Sequence, residues 1–150
     1  MVITLMLNGE KRQLDCRPDT MLLEALRDAG CKSVKCGCDT TNCGLCTVWL
    51  DGHPVLSCSV PAMRAAGRSV TTLEGVQAEA EVFGRCLIAE GGEQCGFCSP
   101  GFIMNVLAMK QELKNPSEEE IARYLEGNLC RCTGYMSQMR AVRRYLEVEA

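Results

Sequence analysis

Eight cysteines fall into two sets whose spacing could gather thiolates around metal. Cys38, Cys43, Cys46 and Cys58 follow the pattern C-x4-C-x2-C-x11-C. The first three match the plant-type [2Fe–2S] loop, which takes its fourth ligand from further along the chain. Thiolates converging on two irons need a tightly curled backbone whose N–H groups point at the sulfurs and offset their charge. Gly37 and Gly44 permit such curvature, and Asp39-Thr40-Thr41-Asn42 supplies turn formers between the first two ligands. The second set is Cys95-Gly96-Phe97-Cys98 together with Cys130-Arg131-Cys132. Ser99-Pro100-Gly101 follows one pair and Thr133-Gly134 the other, each at the expected start of a helix. Free N–H groups and the positive dipole end favour a negatively charged cluster there. Helix packing that joined the two turns would make a four-thiolate site.

Other chemistries were weighed on the same residues. A single C-x-x-C also suits zinc or a redox disulfide. The C-x-C pair is unusual for a zinc ribbon, which prefers wider knuckles. Iron–sulfur binding accommodates both sets. Cys16, Cys31, Cys36 and Cys86 read as small buried hydrophobes. Cys36 stands two residues before Cys38, but using it would lengthen the first ligand gap to six, so Cys38 is preferred. The sole histidine, His53, lies beside Pro54 and reads as a hairpin surface residue. No Ser–His or paired-carboxylate arrangement is present, so no independent catalytic site is expected. Trp49 reads as a hairpin packing residue, and Arg140, Arg143 and Arg144 as a solvated helix face.

These residues need a scaffold. Residues 2–7 and 11–16 flank Asn8-Gly9, a strong two-residue hairpin signal. Pro18-Asp19-Thr20 opens a helix from Met21 to Ala29, with Asp19 or Thr20 as cap and Gly30 as stop. Thr47 to Leu50 and His53 to Cys58 form a second hairpin around Asp51-Gly52, and Ser69 to Leu73 adds a strand. The first half is therefore a small α+β sheet with one helix across it. The second half is helical. It has a weakly signalled helix within 75–91, one over Phe102 to Leu113 stopped by Asn115-Pro116, one over 118–126 and a last one from Tyr135 to Glu147. Ser117 and Glu120 form a capping box for the third. The boundary is placed near Glu74-Gly75, giving domains 1–74 and 75–150.

Composition narrows the function. The chain has 150 residues, 12 of them cysteine, with a net charge of −3. There is no basic tract, so neither nucleic acid nor an anionic membrane is expected as partner. The N-terminus turns polar after Leu7, and no stretch approaches a membrane span. A cytoplasmic location is expected, where clustered cysteines serve as metal ligands more often than as disulfides.

With both sets in hand, the chain resembles the small [2Fe–2S] iron–sulfur subunit of the xanthine dehydrogenase/aldehyde oxidase (molybdenum hydroxylase) family. The match is carried by Gly37-Cys38-Asp39-Thr40-Thr41-Asn42-Cys43-Gly44-Leu45-Cys46-Thr47-Val48, Asp51-Gly52 and Ser57-Cys58. It continues through Gln94-Cys95-Gly96-Phe97-Cys98-Ser99-Pro100-Gly101 and Asn128-Leu129-Cys130-Arg131-Cys132-Thr133-Gly134-Tyr135. The resemblance implies an α+β fold, a β-grasp ferredoxin-like domain followed by a four-helix [2Fe–2S] domain. It implies that the Cys95/Cys98/Cys130/Cys132 cluster lies proximal to molybdenum and the Cys38/Cys43/Cys46/Cys58 cluster distal to it. Gln94 and Cys132 are then the positions expected to touch molybdopterin, on a partner large subunit. An FAD-binding subunit is the further expected partner. The implied role is electron transfer, one electron at a time, from the molybdopterin centre to a flavin or other acceptor. A free-standing two-cluster ferredoxin and a zinc-stabilised interaction module are the competing readings. One departure from the resemblance is Thr41, where many members carry a smaller residue, often glycine.

Overall fold

Both Asn-Gly and Asp-Gly pairs close the hairpins they predict. The computed structural model describes residues 1–148, so residues 149–150 of the expected second domain lie outside the described residues. Strand β1 (Val2–Leu7) pairs antiparallel with β2 (Glu10–Asp15). Asn8 and Gly9 between them hold φ of 52° and 84°, the two positive values that a type I′ turn demands. Strand β3 (Thr47–Leu50) pairs with β4 (His53–Leu56) around Asp51 and Gly52, again both at positive φ. Strand β5 (Ser69–Thr71) inserts between the hairpins, parallel to β1 and antiparallel to β3, giving the order β2-β1-β5-β3-β4.

One helix covers this sheet. Helix α1 (Leu22–Asp28) buries Leu22, Leu23, Ala25 and Leu26 against Ile3, Leu5, Leu7, Val48 and Val70. The period-2 face of β1 and the helical spacing of the leucines meet in one core. This is the β-grasp arrangement. The cap differs from expectation. Met21 is the N-cap, and its backbone N–H donates to the Glu24 carboxylate at 3.3 Å. Asp19 is instead paired with Arg17, and the Thr20 hydroxyl accepts from the Arg17 N–H. Both candidate caps are consumed by the turn before the helix.

Four helices follow: α2 (Gln77–Ala89), α3 (Ser99–Glu112), α4 (Glu118–Leu125) and α5 (Met136–Val148). Helix α3 is central, with Phe102, Ile103, Met104, Val106, Leu107, Ala108 and Met109 all buried. The Phe83 ring lies 5.8 Å from that of Phe102 and 5.2 Å from that of Tyr145, tying α2, α3 and α5 together. Ser117 and Glu120 close the expected capping box on α4. The α5 arginines are exposed, as expected of a solvated face, and form ion pairs there. Arg140 and Arg144 bracket Glu90 at 3.4 and 3.0 Å, and Arg143 pairs with Glu118. Among the described residues no helix is long and apolar enough to cross a membrane.

Trp49 also departs from its expected role. Although it sits on β3, its side chain is buried in the helical core, and its indole N–H donates to the Met104 carbonyl of α3 at 3.0 Å. The sheet thus sends one large side chain into the neighbouring layer. A second tie fixes the cysteine loop itself. Glu74, just beyond β5, accepts from the Ser33 N–H at 3.0 Å, the Ser33 hydroxyl at 2.6 Å and the Thr72 hydroxyl at 2.6 Å.

Burial raises the Glu74 pKa, but the Ser33 and Thr72 donors outweigh it and leave the group lowered from its ordinary value. A lowered folded-state pKa means stabilisation that is present above the unfolded value and lost as pH falls through the folded one. Glu74→Ala should therefore cost about 1 kcal/mol at neutral pH, the low end for a charged acceptor because the carboxylate is partly in water. Urea denaturation of wild type and variant at a series of pH values should show the difference shrinking as pH drops below the ordinary carboxylate range.

Candidate iron–sulfur centres

The loop from residue 31 to 46 curls back on itself before β3. Cys38 and Cys43 come within hydrogen-bonding reach of each other. Cys46 and Cys58 form a second such pair. Cys58 stands in a short 3-10 turn, Ser57–Ser59, because β4 ends at Leu56 rather than running on to the cysteine. The Asn42 and Thr40 backbone N–H groups, then the Cys43 side chain, bring the half-buried Cys38 thiol down to about 6. Burial pushes the Cys43 thiol up, while the Leu45 and Gly37 N–H groups point at its sulfur. Burial also pushes Cys46 up to about 11, opposed by the Cys58 N–H. Backbone donors aimed at sulfur are what a negatively charged cluster requires.

The second set gathers in the helical half. Cys132 and Cys95 thiols are 3.5 Å apart. Cys98, the N-cap residue of α3, lies within hydrogen-bonding reach of Cys130. Burial raises the Cys130 thiol, but the Thr133 hydroxyl at 3.2 Å and the Cys132 and Thr133 N–H groups leave it lowered overall. Burial pushes Cys98 up to about 11. Tyr135, at φ 71°, turns its hydroxyl to accept the Cys130 N–H at 3.1 Å. Gln94, Cys95 and Cys132 are exposed, so this end of the quartet faces solvent.

The donor set suits a binuclear cluster. Eight thiols fall as four pairs, and a [2Fe–2S] cluster takes two thiolates per iron. A structural zinc needs four donors around one point. All twelve cysteines are free, so none of the pairs is a disulfide.

One sequence expectation changes at Cys36. Cys16, Cys31 and Cys86 are buried as expected, but Cys36 is exposed. Its thiol lies 3.8 Å from the Cys38 carbonyl, away from Cys43. Thr41 adopts φ 56°, the left-handed region, which explains why glycine suits that position.

The two loops meet directly. The Leu129 N–H donates to the Cys43 carbonyl at 2.9 Å. Leu129 adjoins Cys130, so one hydrogen bond links the backbone of both quartets. The Asn128 amide donates to the Gly44 carbonyl at 3.3 Å and is itself held by Asn105 at 2.6 Å. Gly44 and Gly101 pack backbone on backbone: a Cβ on Gly101 would stand 2.4 Å from the Gly44 oxygen. One cavity of about 640 Å³ is lined by Cys38 and Cys43 and by Cys95, Cys98, Cys130 and Cys132. Asn105 and Gln138 were not legible as site residues. Gln138 alone left a trace: a polar residue three and four positions before Ala141 and Val142, on an apolar stripe.

Comparison with known proteins agrees with this geometry. A family described as a 2Fe-2S iron-sulfur cluster binding domain matches residues 5–72, and one described as a [2Fe-2S] binding domain matches 72–143. The chain is 41% identical to the nicotinate dehydrogenase small FeS subunit of Eubacterium barkeri, over 98% of this chain and 96% of that one. It is 44% identical to the xanthine dehydrogenase iron-sulfur-binding subunit of Escherichia coli O157:H7, over 86% of this chain and 84% of that one. Quinoline 2-oxidoreductase from Pseudomonas putida 86 superposes with a TM-score of 0.87 at 32% identity, covering 100% of this chain and 98% of that one. The aldehyde oxidoreductase of Desulfovibrio desulfuricans gives 0.91 at 38% identity, with 99% of this chain matching 17% of that one.

Fold and site together define a protein with two [2Fe–2S] domains. The chain belongs to the iron–sulfur subunits of the xanthine dehydrogenase/aldehyde oxidase family of molybdenum hydroxylases, and its function is electron transfer within an oxidoreductase.

The glycine contact yields a paired test. Gly101→Ala should cost about 2 kcal/mol or more, since only backbone can give way. Gly84→Ala, in helix α2 where a Cβ meets nothing within 4 Å, should gain about 0.5–1 kcal/mol. Urea denaturation midpoints of the two variants should move in opposite directions.

Proposed function

We propose that each quartet holds one [2Fe–2S] cluster. In the domain spanning 1–74, Cys38 and Cys43 take one iron and Cys46 and Cys58 the other. In the domain spanning 75–150, Cys95 pairs with Cys132 and Cys98 with Cys130. The observation that carries this reading is the fall of eight thiols into four close pairs, two in each half. Each cluster, when bound, supplies one-electron chemistry.

The chain relays electrons singly from a molybdopterin centre on a large partner subunit to a flavin on an FAD-binding subunit. The second quartet is the one proximal to molybdenum. Gln94 and Cys132 are exposed beside it, as residues that contact a pterin across an interface must be. Phe97, Leu129, Tyr135 and Met136 stand around it, each between 42% and 68% exposed. Such an apolar rim suits burial against a partner. It also favours a subunit over a free-standing ferredoxin, which has no standing need of one. We place the complex in the cytoplasm, where its free thiols stay reduced and available for metal.

The residues of this chain have three tasks in that role. Backbone N–H groups of Thr40, Asn42, Leu45 and Gly37 offset sulfur charge in the first loop. Thr133 and Tyr135 fix the position of Cys130. The Cys43–Leu129 hydrogen bond holds the two loops at one separation.

Metal analysis and spectroscopy of the purified complex test the reading. About four iron and four acid-labile sulfide per chain are expected, with two distinct electron paramagnetic resonance signals on reduction. Cys46→Ser should abolish or alter one signal and Cys98→Ser the other. A single signal, or zinc in place of iron, would overturn it.

A further inference from the structure

Gln138 is 3% exposed, yet nothing assigned so far uses it. It occupies the first turn of α5, on the face that buries Ala141, Val142 and Tyr145. A buried amide on an apolar face is costly unless its hydrogen bonds are made. Its Nε2 lies 3.8 Å from the Cys98 sulfur. That thiol is half-buried, and the Gln138 amide is a side-chain donor aimed at it.

We propose that Gln138 tunes the reduction potential of the second cluster by donating an amide hydrogen bond to the Cys98 thiolate. The inference rests on Cys95, Cys98, Cys130 and Cys132 being cluster ligands. Reduction adds one electron, and hence one negative charge, to a site whose charge is shared with its sulfurs. A donor fixed on one sulfur stabilises the reduced state more than the oxidised one and raises the potential. Gln138 is thus a positioning and tuning residue; no bond to it forms or breaks. The donor is carried by α5, which is held in the helical core by Ala141, Val142 and Tyr145.

The test uses the whole complex with Gln138→Leu and Gln138→Met, two variants of similar bulk that lack the donor. Iron and sulfide are measured first. If the wild type carries no iron and sulfide, the ligand assignment itself fails. With both clusters loaded, potentials are read by resonance-monitored redox titration, the second cluster's signal being the one that Cys98→Ser perturbs. The reduction equilibrium of that signal should fall about fivefold in both variants, roughly 40 mV lower at 59 mV per decade for one electron. The first cluster's midpoint should stay put. An exchangeable-proton hyperfine coupling on the second signal should also disappear. An unchanged midpoint or an unchanged coupling would overturn the proposal. Should neither variant load, wild type labelled with 15N-glutamine decides. A nitrogen coupling on the second signal that survives Gln94→Ala supports Gln138, and its absence refutes it.

Discussion

The close approach of two backbones at Gly44 and Gly101 governs the rest of the molecule. The Gly44 carbonyl would lie 2.4 Å from any Cβ at Gly101, so only glycine lets the sheet domain sit this near the start of α3. That proximity allows the Leu129 N–H to reach the Cys43 carbonyl. The same proximity lets the Asn128 amide donate to the Gly44 oxygen, which also accepts from the Thr47 hydroxyl at 2.7 Å. Each loop thereby completes the hydrogen bonding of the other. The separation of the two cysteine quartets is a consequence of this contact, not of either domain alone. Electron transfer depends steeply on distance, so a fixed backbone contact is a functional constraint as well as a packing one.

Within each quartet the opposing demands are burial and charge. Cys46 and Cys98 are pushed up by burial, which protects a cluster from water but disfavours its negative sulfurs. Each loop answers with donors of a different kind. The first loop uses backbone N–H groups, as its tight curl presents them inward. The second lies on two separate turns and cannot curl in that way. It adds side chains to its backbone donors: Thr133 to Cys130, and Gln138 to Cys98. Side-chain donors can be exchanged by single mutations without rebuilding a loop. The second quartet is thus the one whose electronic properties a family can adjust most readily.

What the sequence disclosed was local. The two hairpins were legible because Asn8-Gly9 and Asp51-Gly52 impose positive φ whatever surrounds them. The α4 cap was legible because Ser117 and Glu120 act within four residues. The two cysteine sets were legible as sets because their spacing is written in the chain, and the thiols within each do come together in pairs. The largest misreading involves a partner distant in the chain. Trp49 looked like a hairpin residue, yet its indole bonds to Met104. The α5 arginines are exposed as expected, and the sequence was silent only on their ion pairs with Glu90 and Glu118. Asp19 and Thr20 looked like caps, yet Arg17 engages both before the helix begins. Asn105 gave no signal at all, because its value lies in holding Asn128 from a neighbouring helix.

The unequal exposure of the quartets follows from the same architecture. Cys43 and Cys46 are buried under β3 and the loop that precedes it, whereas Cys95 and Cys132 stand at the surface inside an apolar rim. A free carrier gains nothing from an apolar collar around its more exposed site, since such a collar invites aggregation. A subunit gains a great deal. Docking would remove Phe97, Leu129 and Met136 from water together with the exposed sulfurs, and would lower the local dielectric around them. The thiol pair that is most open in the isolated chain would then become an interior site of the assembly. The first quartet thus has two buried and two half-buried cysteines, whereas the second leaves Cys95 and Cys132 exposed, the pair that a partner would cover.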